Sequence, residues 1–267
     1  MVTRLKLTVW GMYFVGVDLA WGERSPTGVA AIDRDGVLRH VDVAVSDDDV
    51  LAQLAPYVGG DCVVAIDAPL VVTNPSGNRP CEAALNRDFR RFDAGAHPAN
   101  TGLAWFADGG RGARLCSGLD LDLDPRSEAA RRAMEVYPHA ASVVLFGLSK
   151  TLKYKQKQGR EVAAIRSELL LLIGFVEGLA TATPSLQLTE CPQWAALDAA
   201  VRAATRKSEL RRAEDPIDAV LCAYIARYAA MRPGDVTIYG ETATGCIVTP
   251  ALNPGAEPGR LSPAVKP

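Results

Sequence analysis

The sequence is poor in the residue patterns that build zinc sites or disulfide frameworks. Its three histidines, His40, His97 and His139, lie far apart, and its six cysteines form no Cys-x-x-Cys pair. The sequence therefore signals neither a zinc site nor a disulfide framework. Cysteines inside apolar runs, such as Cys62 and Cys222, are expected to be small buried residues of a reducing compartment.

Long apolar runs are missing as well. The stretch from Leu7 to Val17 is too short to cross a bilayer and runs directly into Asp18, with no signal-peptide cleavage pattern after it. The sequence therefore predicts a cytoplasmic protein with no membrane partner. Residues 1–12, which precede the first predicted strand, are expected to be an N-terminal extension.

Neither sign of charge is in excess. The 29 basic and 31 acidic residues give a net charge of -2. Such a protein has no overall attraction for nucleic acid, so nucleic acid is a possible partner only through a local basic surface. With 48% hydrophobic and 22% charged residues in 267, the chain suits one globular domain with a large core and insertions.

The periodicity of apolar residues predicts strands first and helices later. The strands predicted near the start span residues 13–19, 28–33, 37–43 and 62–66, with an amphipathic helix capped by Ser46 before the last of them. Residues 72–127 form an irregular insertion with a charged helical piece near 82–91. A short strand at 134–137 follows. The helices predicted after it span residues 139–146, 161–179, 191–204 and 215–231.

This order of elements predicts the fold class. It lacks the strict alternation of a Rossmann fold, and no glycine-rich nucleotide-binding motif follows a strand. We expect an α/β fold with a mixed sheet, an antiparallel meander followed by parallel strands, flanked by helices and interrupted by the inserted segment. Residues 13–252 are predicted to form this single domain, and the Pro/Gly-rich residues 253–267 a flexible tail.

Four acidic residues lie at or near the ends of predicted elements. Asp18 ends the first strand, Asp67 follows the strand at 62–66, Glu135 lies in the short strand, and Asp218 lies in the first turn of the last helix. If the strands before Asp18 and Asp67 are parallel neighbours, both carboxylates reach the sheet edge where ligands bind. Mg²⁺ and Mn²⁺ prefer such oxygen ligands. All four acids are therefore candidate metal ligands and catalytic residues.

Purely structural roles explain some of these acids as well. The segment from Asp215 to Asp218 has the pattern of a helix start, with Asp215 as N-cap and Pro216 in the first turn. Asp67 before Ala68-Pro69 suits a turn. Asp18 is harder to explain in this way, because an unpaired carboxylate buried in so apolar a strand is costly.

Charged residues outside this set are candidate substrate contacts. Lys155 and Arg166 lie in a basic region and are candidates for binding phosphate groups, whereas Arg79 and Glu82 lie in the insertion and are candidates for clamping substrate over the sheet edge. For all four, a solvated charge beside a helix is the alternative. His139 is a candidate for acid–base steps or a structural hydrogen-bond donor.

Several of these segments, in this order, resemble a known family. They are VGVDLAWG with Thr27-Gly28 after it, AIDAPL, the stretch with Arg79, Cys81 and Glu82, EVYPHA, the Tyr154-Lys155 region with Arg166, and DPIDAVLCAY. Together they resemble the domain of unknown function 429, whose members are usually described as predicted RNase H-like nucleases. The resemblance spans about Tyr13 to Ile247.

The resemblance implies a ribonuclease H-like fold with a metal site made of a first-strand acid, a middle acid and a helix acid. These positions match Asp18, either Asp67 or Glu135, and Asp218. The implied activity is metal-dependent hydrolysis of nucleic-acid phosphodiester bonds with Mg²⁺ or Mn²⁺. Two alternatives stay open: an actin-like ATPase or phosphotransferase, for which the hairpin with Thr27 suits a phosphate, and a non-catalytic scaffold or binding module.

Overall fold

The computed structural model of the chain describes residues 11–22 and 25–252. Within these residues, seven strands form one mixed sheet. The strands are β1 (Tyr13–Asp18), β2 (Thr27–Asp33), β3 (Leu38–Ala44), β4 (Cys62–Ile66), β5 (Arg131–Val136), β6 (Val236–Glu241) and β7 (Gly245–Pro250). The predicted tail at 253–267, and the predicted extension at 1–12 apart from Gly11 and Met12, lie outside the described residues.

The strand order across the sheet is β3-β2-β1-β4-β5-β7-β6. The first three strands form an antiparallel meander, β1, β4, β5 and β7 run parallel, and β6 is antiparallel to β7. The predicted mixed sheet is therefore confirmed. All residues of β4 are buried, as expected for a parallel strand that is covered on both faces.

Helices flank the sheet on both faces. They are α1 (Asp47–Val58), α2 (Pro80–Phe89), α3 (Gly110–Gly118), α4 (Pro138–Leu145), α5 (Val162–Gly178), α6 (Pro192–Ala203) and α7 (Lys207–Met231). Because successive side chains of a strand point to opposite faces, β1 contributes Phe14 to the core under α5, α6 and α7. It contributes Val15 and Val17 to the other core, under α1 and α3. No helix in the described ranges is long and apolar enough to span a bilayer.

The helix α7 lies directly against the backbone of β1 and β2. A Cβ atom at Gly16 would come within 1.9 Å of the carbonyl oxygen of Ala219, and one at Gly28 within 1.9 Å of that of Asp215. Only glycine allows so close an approach of helix and strand backbones. Gly28 pairs with Asp18 across the β1–β2 ladder, so this packing brings the acidic part of α7 to the end of β1.

Two parts of the predicted element list are wrong. Asp215 does not begin a helix, since α7 begins at Lys207 and Pro216 lies inside it. The actual start is capped by Arg206 together with Glu209, a pairing without the usual Ser, Thr, Asp or Asn signal. The strands β6 and β7 and the helix α3 were not predicted, whereas Ser46 caps α1 as expected, its Oγ accepting from the backbone N–H of Asp49.

Candidate functional site

The strands β1 and β4 are parallel neighbours, as the predicted site requires. Val17 pairs with Ile66, and the backbone N–H of Asp67 donates to the carbonyl of Val17 at 2.8 Å. Asp18, the last residue of β1, and Asp67, the first residue after β4, therefore lie at the same edge of the sheet. Both line a cleft of about 230 Å³.

A lysine ammonium lies among the aspartates at this edge. Lys155 Nζ is 2.5 Å from Asp218 Oδ2, 3.4 Å from Asp18 Oδ2 and 3.8 Å from Asp215 Oδ1. The Tyr154 hydroxyl donates to Asp218 Oδ1 at 2.7 Å, so both oxygens of Asp218 are engaged. From the sequence, Lys155 is a candidate for binding phosphate groups. In the structure its ammonium instead pairs with the aspartates.

Negative charge is in excess around this lysine. Four carboxylates, those of Asp18, Asp67, Asp215 and Asp218, face the ammonium of Lys155, and within the described residues only Asp215 among them has a second cationic partner, Arg211. Burial, opposed by Lys155 and reinforced by the neighbouring acids, raises the pKa of Asp18 to about 7. Burial and then the charge of Asp18 raise the pKa of Asp67 well above its usual value. Among the described residues, no side chain donates a hydrogen bond to the Asp67 carboxylate.

The same stretch of α7 carries two further acids that sequence reasoning did not place in the site. The guanidinium of Arg211 donates to Asp215, and its Nη1 is 3.5 Å from Glu214 Oε2. Burial raises the pKa of Glu214 to about 7. Glu214 and Asp218 are four residues apart, which is about one helical turn. A helix predicted to begin before Pro216 would therefore have placed both acids on the same face.

Glu135 belongs instead to a buried ion-pair network. Arg79 donates to its two oxygens at 2.8 and 2.5 Å, and the backbone N–H of Leu70 donates at 3.0 Å. Arg79 Nε also donates to Glu82 at 2.8 Å, and Glu82 accepts from the backbone N–H of Ala99. Arg79 and Glu82 line the cleft, but their charged groups form ion pairs that hold the insertion against β5. Asp67 is thus the middle acid whose oxygens are not already paired.

Arg166 lies apart from this group. Its Nη1 donates to the carbonyl of Ala204 at 3.0 Å and thereby ties α5 to the end of α6. It is not among the described residues that line the acidic cleft or the basic cleft next to it. The structure therefore gives Arg166 a structural contact and does not bring it to the sheet edge.

A basic cleft of about 360 Å³ adjoins the acidic one, and His97 and Tyr137 line both. Its cationic lining residues are Lys153, Lys155, Lys157 and Arg160. Lys153 pairs with Asp93 at 3.1 Å, and Arg160 donates to the backbone of the same loop. Lys157 is exposed and has no ion-pair partner within the described ranges. The cationic residues of this loop therefore lie next to the aspartates.

His139 lies in the wall of the basic cleft. Its ring stacks on Tyr154 with centroids 5.5 Å apart, and its Nδ1 is 3.1 Å from Thr151 Oγ1. Burial lowers the pKa of His139 to about 4, so the ring is neutral near pH 7. Its contacts support Tyr154, which in turn orients Asp218.

The described residues contain no group of three or more His, Cys, Asp and Glu side chains arranged to hold a metal ion as they stand. Lys155 lies between Asp18 and Asp218, where sequence reasoning left room for a cation. Asp18 and Asp67 nevertheless suit a hard divalent cation chemically, because both offer carboxylate oxygens at the cleft and no side chain of the described residues donates a hydrogen bond to Asp67.

Comparison with known families bears on the chain as a whole. A family model described as protein of unknown function, DUF429, matches residues 16–244. Comparisons with curated proteins and with solved structures find no significant match. The matched range contains Asp18, Asp67, Lys155 and Asp218 and covers most of the chain, so the protein belongs to the DUF429 family.

Proposed function

We propose that the protein hydrolyses phosphodiester bonds of nucleic acid, with Mg²⁺ or Mn²⁺ held by Asp18 and Asp67. The observation that carries this proposal is the meeting of Asp18, Asp67 and Asp218 from three separate elements at one sheet edge, beside a basic cleft. Carboxylates next to cationic side chains suit a phosphate ester whose reacting group needs a cation.

We also infer that the sheet is ribonuclease H-like. The strands β1 to β5 lie in the order β3-β2-β1-β4-β5, and β2 runs antiparallel to the other four. One acid ends β1, one follows β4, and a third lies on the long helix α7, which packs against β1. This is the placement that the family resemblance implies for a metal-dependent nuclease.

Charge balance supports one bound divalent ion. Asp215, which also faces Lys155, is paired with Arg211. With Asp18, Asp67 and Asp218 ionised and Lys155 protonated, two negative charges are left over, and one Mg²⁺ or Mn²⁺ neutralises them; the bound ion would keep Asp18 and Asp67 ionised although burial raises the pKa of both. Asp67 is the ligand with free oxygens, and Asp18 shares the cleft with it. The oxygens of Asp218 are bonded to Lys155 and Tyr154, so Asp218 is not one of the two proposed metal ligands.

The roles of the chain's own residues follow from their contacts. A divalent ion, when bound, lowers the pKa of water and neutralises charge that develops on phosphate. Lys155 holds Asp18 and Asp218 in place, and Tyr154 fixes the second oxygen of Asp218. The basic cleft holds the neighbouring phosphate groups, with Lys157 as its exposed ammonium.

One observation favours a non-catalytic module as the second candidate. The ammonium of Lys155, paired with Asp218, already places a cation at the sheet edge. A protein without catalytic activity would need no metal ion there. The actin-like alternative loses support instead. The hydroxyl of Thr27, its candidate phosphate contact, is fully buried and accepts from Arg111 Nη1 at 3.1 Å.

The proposal is tested by incubating the purified protein with labelled single-stranded, duplex and branched nucleic acids in Mn²⁺ or in EDTA. We expect cleavage in Mn²⁺ only, at least about a hundredfold slower in Asp67→Asn. The matched control is Asp48→Asn, an exposed aspartate in the first turn of α1, which should cleave like the parent. No cleavage of any substrate by the parent would favour the scaffold.

A further inference from the structure

An exposed tryptophan lies close to the acidic cleft. Trp105 is 53% exposed, and only two other large hydrophobic side chains in the described ranges, Val45 and Met231, are exposed to a similar degree. An exposed indole offers a large, flat aromatic face with one polar N–H, which suits contact with a planar ligand. Its location decides what kind of partner fits.

The ring is held in a fixed aromatic group. Trp21 packs edge-on against Trp105 with centroids 5.9 Å apart, and against the buried Phe106 at 4.9 Å. Arg111 Nη1 donates to the carbonyls of Ala20 and Gly22, on either side of Trp21, at 2.9 and 3.3 Å. This support keeps the face of Trp105 in place before any ligand arrives, which reduces the entropy lost on binding.

The aromatic group is continuous with the acids. Trp21 lines the cleft that holds Asp18 and Asp67, and it also lines a second cleft of about 470 Å³ together with Trp105. A chain that crosses the acids can therefore continue over Trp21 onto Trp105. The basic cleft lies on another side of the acids, where it shares His97 and Tyr137 with them.

We propose that Trp105, backed by Trp21, is a stacking site for an unpaired base of a single-stranded nucleic acid. The proposal rests on the function proposed above and names its substrate class. The face of every base can stack on an aromatic ring, and such stacking tolerates any sequence. Bases inside a duplex are already stacked on each other, so the site selects single strands or frayed ends.

The test is the binding of a short fluorescent oligothymidylate in EDTA, measured by anisotropy, so that no cleavage interferes. We expect Trp105→Ala to weaken binding by about tenfold, because the base loses the ring on which it stacks. Trp105→Phe keeps a ring and should recover most of the affinity. The control Met231→Ala removes an exposed hydrophobic side chain at the end of α7 and should bind like the parent.

An abasic oligonucleotide of equal length separates stacking from charge. It keeps the phosphates without the bases, so the parent should bind it weakly and Trp105→Ala should change that binding little. Equal binding of oligothymidylate by parent and Trp105→Ala, or no binding by the parent, overturns the stacking site. If binding depends on Trp105 but no substrate is cleaved, the stacking site stands and the hydrolytic function is wrong. If cleavage occurs and does not depend on Trp105, the hydrolytic function stands and the stacking site is wrong.

Discussion

The carbonyl oxygen of Asp215 lies against the backbone of Gly28, where even a methyl group would come within 1.9 Å of it. Gly28 pairs with Asp18 on the neighbouring strand, so this contact joins β2, α7 and the end of β1 at one point. A small residue in a strand thus sets the distance between acids that are about two hundred residues apart in the chain. The site depends on this backbone contact as much as on its charged side chains.

Gly28→Ala should destabilise the fold and displace α7. The new methyl group meets backbone atoms that cannot turn away, so we expect a loss of at least about 2 kcal/mol in the free energy of unfolding. Denaturant titration followed by circular dichroism measures it. Gly178→Ala is the control: Gly178 ends α5 with open space around it, and alanine there should be neutral or stabilising. Equal effects of the two substitutions would argue against the close contact.

Arg79→Met should be among the most destabilising substitutions in the insertion. It leaves Glu82 and Glu135 as buried, unpaired carboxylates, and breaking such a network costs about 3–5 kcal/mol. The free energy of unfolding from a urea titration checks this. Arg39→Met, which breaks ion pairs of a side chain that is 42% exposed, should cost about 1 kcal/mol or less. A mild effect of Arg79→Met, with Mn²⁺ bound more tightly than in the parent, would instead return Glu135 to the metal site.

Local sequence patterns predicted the elements that carry the first two acids. Apolar runs placed Asp18 at the end of one strand and Asp67 after another, and the parallel pairing of β1 with β4 brings them to one edge. The pattern could not show that Arg79 takes both oxygens of Glu135, because that pairing joins residues 56 positions apart. Long-range partners of buried charges depend on tertiary packing, which periodicity does not encode.

Proline produced the main error in the prediction of the site. Pro216 in the Asp215–Asp218 segment is typical of a helix start, but packing of α7 on Gly16 and Gly28 holds the helix through it. The extra turns bring Glu214 into the acidic group. Lys155 was likewise assigned to substrate because a basic run in a loop gives no sign of which aspartates it reaches.

Lys155→Met should strengthen the binding of Mn²⁺. Removal of the ammonium leaves the acidic group with one more uncompensated charge, and at the distances seen here this favours a cation by roughly tenfold or more. We expect a lower melting temperature in EDTA that Mn²⁺ restores. Lys153→Met, which removes a lysine paired with the exposed Asp93, should leave the affinity unchanged. Weaker Mn²⁺ binding in Lys155→Met would mean that the lysine does not compete with a cation.

Glu214→Gln should change the pH dependence of stability. Burial raises the pKa of Glu214 to about 7, above its unfolded value, so its protonated form stabilises the fold at low pH and this contribution is lost as pH rises towards and through 7. The variant should therefore exceed the parent by about 1–3 kcal/mol at pH 8 and by little at pH 4. Denaturant titrations at both pH values measure the difference.

Glu209 provides the control of opposite sign. Hydrogen bonds from the backbone N–H of Thr205 and from Arg206 lower its pKa to about 2, so its contribution is present above its unfolded pKa and is lost as pH falls towards 2. Glu209→Gln should therefore be less stable than the parent at neutral pH, and the two should converge in acid. A Glu214→Gln variant that behaved like Glu209→Gln would show that Glu214 is charged and well paired in the fold.

The central claim is that the acids at the end of β1 and β4 together bind a divalent cation. Isothermal titration of the parent with Mn²⁺ at pH 7.5 tests it most directly, with Asp67→Asn and Asp48→Asn measured beside it. We expect saturable binding of about one ion in the parent and in Asp48→Asn, and a loss of at least about tenfold in affinity in Asp67→Asn. Absence of binding to the parent, or equal binding to Asp67→Asn, would contradict it.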